Sequence, residues 1–216
     1  MAIIQEGTVL AGIRGKIGNV VIYTWKNKVC ARSLPAKPRK KRPRTIPQQA
    51  QANKMKVLSP FLNAVKPFLR VGFKHVADKR NITANNAAKS VNMLTGVKGE
   101  FPNQEINWDT ILVADGPLQK PENVTVRIVE NAFHFTWDKD KTQTGNPGDR
   151  TIILLFSKTH RRVLVNYSGS RRDELKDTFY LDSHYLKKNT YEVFIAFKDV
   201  TSDEVSKSVY CGRFSK

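Results

Sequence analysis

A long stretch without acidic side chains constrains this sequence more than any other feature. Between Glu6 and Asp78 lie 71 residues that include 16 Lys and Arg but no Asp or Glu. Soluble surfaces usually mix both signs of charge, because like charges repel each other and oppose a compact state. The stretch therefore needs a counter-charge from outside the chain, and phosphates of nucleic acid or of lipid headgroups are the usual source.

The positive charge is concentrated in the first part of the chain. The 216 residues have a formal net charge of +18, to which residues 1–120 contribute 21 basic and 6 acidic side chains. Residues 36–44 are the densest part, with six basic residues in nine and two prolines, which disfavour a helix. We expect this arm to be extended in water and to lie along phosphates when bound. A solvated linker or an import-type tag is the alternative.

Several protein classes are excluded. The two cysteines, Cys30 and Cys211, are too few for a disulfide scaffold. The longest apolar runs are far shorter than the roughly 20 residues that a membrane-spanning helix needs. The first residues include the acidic Glu6 and no long apolar run, so no signal peptide is predicted. These observations predict a cytoplasmic protein that does not bind membranes.

The first 34 residues predict a small β element. Residues 20–25 are β-branched and aromatic, a turn can follow, and residues 29–34 return as a second strand. Residues 12–19 interleave glycines with cations, which would let backbone amides approach a phosphate. A plain glycine-rich turn is an equal alternative. This segment is not a Walker A loop, because Asn19 follows Gly18.

Residues 46–96 predict a helical segment. Thr45 can cap the first helix, Pro60 can begin a second, and Pro67 should bend or end it. A third helix is expected over residues 85–94. One apolar stripe has helical spacing and is expected to pack in a core: Phe61, Leu62, Val65, Phe68 and Leu69.

The last part of the chain changes to a β pattern. A connector contains a predicted strand over residues 106–113, and Pro117 and Pro121 suggest a domain boundary. Seven short strands then predict an antiparallel β-sandwich, at residues 124–129, 132–137, 151–156, 162–167, 178–181, 190–197 and 205–210. Its inward residues are expected to include Val124, Val126, Phe133, Phe135, Trp137, Ile153, Leu155, Val163, Val165, Tyr191, Val193, Ile195 and Phe197.

The fold class is therefore predicted as α+β, with a basic β-hairpin and a helical region followed by an all-β antiparallel sandwich. The predicted segments are a Gly-rich basic hairpin (1–34), a Pro/Lys/Arg arm (35–45), a helical segment (46–96), a connector (97–120) and the sandwich (121–216).

Two motifs suggest a family for the sandwich. Trp137 closes an early strand, and LKKNTYEVFIA (residues 186–196) has a leucine followed by a tyrosine just before a strand. This segment resembles the tyrosine corner of fibronectin type III and immunoglobulin-like domains. The resemblance covers about 90 residues and implies a binding or packing module, with no chemistry of its own.

The whole chain also resembles an uncharacterised domain family common in Bacteroidota. Four motifs support this resemblance: GKIGNVVIYTWKNK (15–28), RSLP (32–35), QQAQ (48–51) and SVYCG (208–212). The resemblance implies the two-part layout of a basic N-terminal region and a C-terminal sandwich, and it implies no activity.

The sequence contains no catalytic constellation. Its four histidines lie in unrelated contexts, and two distant cysteines cannot build a zinc site. No nucleophile or metalloprotease signature is present. We therefore predict no enzyme activity, no metal and no cofactor.

Two charged features in or near the predicted sandwich are explained without a ligand. Asp138, Asp140 and Asp149 could hold calcium, but a solvated loop is the better prediction because lysines interrupt the acidic residues. The basic pairs 161–162 and 171–172 could extend a phosphate-binding face, although such exposed pairs are usually ordinary surface.

These patterns favour a non-enzymatic nucleic-acid-binding protein, with structured RNA favoured over DNA and a role as a ribosome-associated or other ribonucleoprotein component. Ribosomal or other assembly proteins are further expected partners. The alternative is a structural protein of a large assembly such as a phage particle, in which the sandwich is a packing module. Tyr23 and Trp25 are candidates for base stacking, and a role in the core of the hairpin is the alternative. The candidate phosphate-binding residues are Arg14, Lys16, Lys26, Lys28, Arg32, Lys37, Arg39, Lys40, Lys41, Arg42, Arg44, Lys54 and Lys56.

Overall fold

The chain folds into two compact units, Met1–Arg44 and Thr45–Lys216, which we call the N-terminal and C-terminal units. The computed structural model describes residues 2–4, 8, 12–25, 28–36, 43–139, 145–182, 185 and 189–215. Pro117 and Pro121 both lie inside the C-terminal unit, together with the helical segment and the strands that follow it.

The N-terminal unit contains an antiparallel four-stranded sheet in the order β1-β4-β3-β2. Its strands are β1 (Ala2–Ile4), β2 (Gly15–Ile17), β3 (Val20–Trp25) and β4 (Lys28–Ser33). The predicted hairpin is present as β3 and β4, whereas β1 and β2 were not expected. A two-residue turn joins β2 to β3, and Gly18 in it has a φ of 54°, a conformation that glycine adopts without steric cost.

Four helices open the C-terminal unit: α1 (Ile46–Ala64), α2 (Lys66–Gly72), α3 (Lys74–Lys79) and α4 (Ala84–Thr95). The Thr45 backbone N–H donates to the Gln48 side chain at 3.2 Å, which satisfies a donor at the start of α1. The break expected at Pro67 is present, because α1 ends before it and Pro67 lies in the first turn of α2.

The helix start expected at Pro60 is wrong, because α1 continues through this residue. Proline cannot donate to the carbonyl four residues earlier, which belongs to the exposed Lys56 and can bind water instead. Leu58, Phe61 and Leu62 around it are fully or almost fully buried. Their burial outweighs the lost hydrogen bond and holds the helix together.

Nine strands follow the helices in the described ranges, and they confirm the α+β class. They form three sheets with the orders β5-β6, β10-β9-β12-β13 and β11-β8-β7, all antiparallel. The strands are β5 (Val97–Lys98), β6 (Glu105–Ile106), β7 (Thr125–Val129), β8 (Ala132–Thr136), β9 (Arg150–Ser157), β10 (Arg162–Asn166), β11 (Lys176–Tyr180), β12 (Thr190–Lys198) and β13 (Val209–Ser215).

The four-stranded sheet of the C-terminal unit has a hydrophobic core on each face. On one face it packs against the three-stranded sheet, through Phe133, Phe135 and Tyr191 among others. On the other face Ile152, Leu154, Phe156, Phe194 and Ala196 pack against the helices. Helices, four-stranded sheet and three-stranded sheet therefore form three successive layers.

Two sequence expectations about this unit are wrong in detail. Val163 and Val165 pack in the core on the helix side and not between the sheets, where Leu164 takes their place. The last strand begins at Val209, because the preceding residues bond elsewhere: Val205 accepts from the Leu118 N–H, and Ser208 donates its N–H to Ala114.

The strand predicted over residues 106–113 is also wrong, since only Glu105–Ile106 is extended and paired. Beyond it, side chains from elsewhere satisfy the backbone. The buried Asn92 side chain bonds both the N–H and the C=O of Leu112, each at 2.8 Å, and the Ser208 hydroxyl accepts from the Val113 N–H at 3.0 Å. These bonds replace a strand ladder and let Ile111 and Val113 enter the core.

Among the described residues, no helix has the length and apolar character that a bilayer crossing requires.

Candidate nucleic-acid interface

The register of the N-terminal sheet places three candidate residues on one face. Lys16 of β2 lies opposite Val21 of β3, and Val21 lies opposite Arg32 of β4. Residues that face each other across strands share a side of the sheet, so Lys16 and Arg32 flank Val21 in one row. Both cations are exposed.

Aromatic side chains continue the same face along β3. Side chains alternate along a strand, so Tyr23 and Trp25 lie on the side of Val21. The Arg32 guanidinium carbon is 5.8 Å from the centre of the Tyr23 ring, which is cation–π distance. Lys28 lies directly opposite Trp25, whose side chain is 38% exposed. We call these five residues, Lys16, Tyr23, Trp25, Lys28 and Arg32, the basic-aromatic face.

The opposite side of the sheet has no charged side chain among the described residues. It is composed of Gly15, Ile17, Val20, Ile22, Thr24, Val29, Ala31 and Ser33, together with Ile4 of β1. Ile22 is buried, whereas Ile17 and Val20 remain 49% and 40% exposed. The cations of the described strands, Lys16, Lys28 and Arg32, therefore all lie on one side of the sheet.

No carboxylate of the same unit neutralises these cations in the part that the structure describes. That part has no Asp or Glu, so Lys16, Lys28 and Arg32 have no acidic partner there. Arg14 donates to the Ile13 carbonyl at 2.9 Å, and Arg44 is exposed at the end of the unit. Phosphate groups from a ligand would supply the missing negative charge.

The other candidate cations lie elsewhere. Six of them fall outside the described residues: Lys26, Lys37, Arg39, Lys40, Lys41 and Arg42. Lys54 and Lys56 lie on α1 in the C-terminal unit, the first half-buried and the second exposed. The structure therefore brings Lys16, Lys28 and Arg32 onto one sheet face and places Lys54 and Lys56 in another unit.

The C-terminal unit has a basic groove of its own, with a volume of about 660 Å³. Buried Phe61 and Phe156 and half-buried Trp108 line it, and their rings touch at centroid distances of 4.9 to 6.2 Å. Four exposed cations also line the groove: Lys98, Lys158, Arg161 and Arg213. No local pattern in the sequence points to this site, because its residues come from distant segments. Only Arg161 belongs to a feature that the sequence analysis discusses, the basic pair 161–162.

One groove cation is anchored by a buried carboxylate. Glu192, the third residue of β12, is 2% exposed, and it accepts from Arg213 at 2.7 Å and from the Tyr210 hydroxyl at 2.5 Å. The hydrogen bond that Arg213 donates to Glu192 raises the pKa of Arg213. Burial, followed by the bond to Glu192, raises the pKa of Tyr210, so the hydroxyl keeps its proton. The buried Glu192 thus holds the Arg213 side chain in place at the edge of the groove.

The expectation of a solvated acidic loop and an ordinary surface pair is wrong for two residues. Asp149 is fully buried and Arg172 is 6% exposed, and they form an ion pair at 2.9 Å. Arg172 also lies 4.0 Å over the Phe197 ring and donates to the Gln119 carbonyl. Burial raises the pKa of Asp149 and the Arg172 charge opposes that rise. This pair is structural; Asp140 lies outside the described residues.

Within the described ranges, no three His, Cys, Asp or Glu side chains come together as a metal site.

Comparisons with known proteins identify the family. The model of a family of unknown function, DUF6266, matches residues 12–212. No curated protein matches the chain. A solved structure, "Titin kinase and its flanking domains", matches 44% of this chain at 21% identity and a TM-score of 0.30, and the match spans only 16% of that chain. That likeness is too distant to support a fold or an activity. The family match covers nearly the whole sequence, and the chain therefore belongs to the DUF6266 family.

Proposed function

We propose that this chain is a non-enzymatic nucleic-acid-binding protein that grips phosphates through its N-terminal unit. The observation that carries the proposal is the basic-aromatic face, on which Lys16, Lys28 and Arg32 lie beside Tyr23 and Trp25. Cations beside accessible rings suit a polymer of phosphates and bases, because phosphates attract the cations and bases stack on the rings.

RNA is the favoured ligand, in a cytoplasmic ribonucleoprotein such as a ribosome-associated particle. The face belongs to a small sheet, and the sequence has no helix-turn-helix or zinc-finger motif that could read a DNA major groove. Accessible aromatic side chains favour unstacked bases, which loops of structured RNA provide. A basic unit that is followed along the chain by a second compact unit also suits a component that inserts its basic part among RNA helices.

Binding of a labelled RNA hairpin by the full-length chain tests the proposal. We expect the double substitution Lys16→Ala/Arg32→Ala to weaken binding about tenfold. It should also reduce the slope of log K against log salt by about 1.4 to 1.8, that is 0.7 to 0.9 for each lost phosphate contact. The matched control is Arg127→Ala/Lys176→Ala, which removes two exposed cations from the three-stranded sheet. Equal effects of both double variants would refute the proposed face.

A structural role in a large assembly is the second candidate, and one observation favours it. Ile17 and Val20 are exposed side by side on the uncharged side of the N-terminal sheet, and partner proteins bury such residues. Salt separates the two candidates. RNA binding through phosphates weakens steeply as salt rises, whereas an assembly held by apolar burial survives it.

We further propose that β7–β13 form a sandwich of the fibronectin type III or immunoglobulin-like kind. Their division into sheets of three and four strands supports this, and so does the Tyr191 hydroxyl, which donates to the Tyr185 carbonyl at 3.1 Å. Tyr191→Phe removes only that hydroxyl, and it should lower the free energy of unfolding by about 1 kcal/mol. Unchanged stability in urea denaturation would argue against a tyrosine corner.

A further inference from the structure

The groove of the C-terminal unit has the size and lining of a ligand site. Its volume of about 660 Å³ lies within the usual range for small-molecule pockets, roughly 300 to 1,000 Å³. It combines buried aromatic rings with exposed cations, so a ligand could contribute a flat apolar part and a negative charge. None of its lining residues belongs to the basic-aromatic face.

Two of the groove cations have no acidic partner within the part of the chain that the structure describes. Lys98 pairs with Glu105 at 3.4 Å, and Arg213 pairs with the buried Glu192. No ion pair joins Lys158 or Arg161 to any carboxylate in the described part of the chain. Both cations lie in the turn between β9 and β10, where a phosphate could be held by both side chains.

The backbone of Arg161 supports a role for its side chain. Its φ is 48°, in the left-handed region that glycine and asparagine adopt much more readily than arginine. An arginine at this position keeps the turn strained, and it has no ion-pair partner among the described residues that would offset the strain. Strain of this kind is commonly retained where the side chain serves a ligand.

Trp108 supplies a planar surface in the same groove. Phe61 meets its ring edge-on at 5.2 Å, and Tyr210 stacks on it at 6.4 Å, so neighbours hold the indole in place. The Trp108 side chain is only half-buried and lines the groove. Gln104 and Glu105 also line it and offer oxygen acceptors to amino or hydroxyl groups.

From these features we infer that the groove binds a nucleotide, with the phosphate at Lys158 and Arg161 and the base against Trp108. The inference goes beyond the proposed function, because it rests only on residues of the C-terminal unit. A free mononucleotide and one unit of an RNA strand share this chemistry. An acidic peptide fits less well, because its carboxylates would meet Glu105 and it brings no planar ring.

A titration that follows the Trp108 indole N–H by NMR tests the inference with the full-length chain. The cross-peak is identified by its loss in Trp108→Phe. We expect adenosine 5′-monophosphate to shift it saturably, and adenosine, which lacks the phosphate, to bind at least tenfold more weakly. Lys158→Ala/Arg161→Gly should weaken binding of the mononucleotide at least tenfold. The control Arg127→Ala/Lys176→Ala removes the same charge and should change the affinity less than twofold.

Arg161→Gly also separates binding from folding. Glycine relieves the left-handed backbone, so the thermal midpoint of this variant should not fall while its affinity for the mononucleotide does. A lower midpoint together with unchanged affinity would overturn the inference.

An RNA tetranucleotide, titrated into Lys16→Ala/Arg32→Ala protein, distinguishes the two nucleotide sources. Tighter binding than the mononucleotide identifies an RNA strand, and equal or weaker binding identifies a free nucleotide.

The absence of a Trp108 response to either probe overturns the inference, and so does equal competition by a Glu octapeptide. If Lys16→Ala/Arg32→Ala weakens RNA-hairpin binding about tenfold and Trp108 never responds, the proposed function stands and this inference fails. If Trp108 responds and that variant has no effect on hairpin binding, this inference stands and the proposed function fails.

Discussion

The two units differ in whether their charged side chains have partners of opposite charge within the chain. In the C-terminal unit the buried charges have partners in the chain itself, since Arg172 pairs with Asp149 and Arg213 with Glu192. In the N-terminal unit the described cations lie on the surface, and the described residues provide no carboxylate to match them. The buried ion pairs of the C-terminal unit therefore contribute to its folding, whereas Lys16, Lys28 and Arg32 have no carboxylate in the described part of the N-terminal unit.

The largest expected difference between the units concerns core packing. Phe61 is 2% exposed and contacts Trp108 and Phe156, so Phe61→Ala should lower the free energy of unfolding by about 4 kcal/mol. Lys16→Ala/Arg32→Ala removes only exposed charges and should change it by less than about 0.5 kcal/mol. Urea denaturation followed by circular dichroism measures both. A small loss for Phe61→Ala would contradict the core assigned to the helices.

The next effect tests the buried ion pair. Arg172→Ala leaves Asp149 buried without its charged partner, and we expect a loss of about 3 kcal/mol in the free energy of unfolding. Arg172→Met/Asp149→Leu removes both charges and should recover most of that loss. If the double variant is no more stable than the single one, the loss comes from packing against Phe197 and not from charge.

Local patterns in the sequence predicted most elements, because each pattern reports on its own segment. Six of the seven strands after residue 121 and the hairpin β3–β4 were anticipated from β-branched and aromatic runs. The layers were harder to predict. The continuous apolar runs in β9 and β12 indicate strands buried on both faces, but only the structure shows that the helices cover the second face.

The candidate sites, like the fold, could be predicted from the sequence only in their local parts. Composition identified the basic N-terminal region. The row of Lys16, Val21 and Arg32 depends on β2, however, and no sequence pattern predicted this three-residue strand between glycines. The groove joins residues as distant as Lys98, Arg161 and Arg213, and no local pattern connects them. The long α1 helix was missed because its packing outweighs the local effect of Pro60.

The pH dependence of stability tests the burial of Cys211 in the C-terminal unit. Burial raises the pKa of this thiol to about 12. An unfolded chain releases the proton near the usual pKa of about 8.5 to 9, so the folded state holds an extra proton between that value and 12. Stability due to Cys211 is therefore lost as pH rises through this window.

Urea denaturation of the wild type and of Cys211→Ala at pH 8 and pH 10 measures that loss. Between these values the wild type should lose about 1.4 kcal/mol more of its free energy of unfolding than the variant. Groups common to both proteins cancel in the difference. Parallel pH profiles would show that the thiol ionises as easily in the folded state as in the unfolded one.

The smallest effect concerns the turn that places Lys16 in the same row as Val21 and Arg32. Gly18 has a φ of 54°, and a Cβ built on it would meet nothing within 4 Å, so a substitution there affects backbone conformation alone. Gly18→Ala should destabilise the β2–β3 pairing by about 1 kcal/mol, and Gly18→Asn by less, because asparagine tolerates the left-handed region. Hydrogen exchange of the amides in Gly15–Ile17 and Val20–Trp25 measures the difference. If Gly18→Ala leaves this exchange unchanged, the turn does not hold Lys16 in register, and the row that carries the proposed interface loses its structural basis.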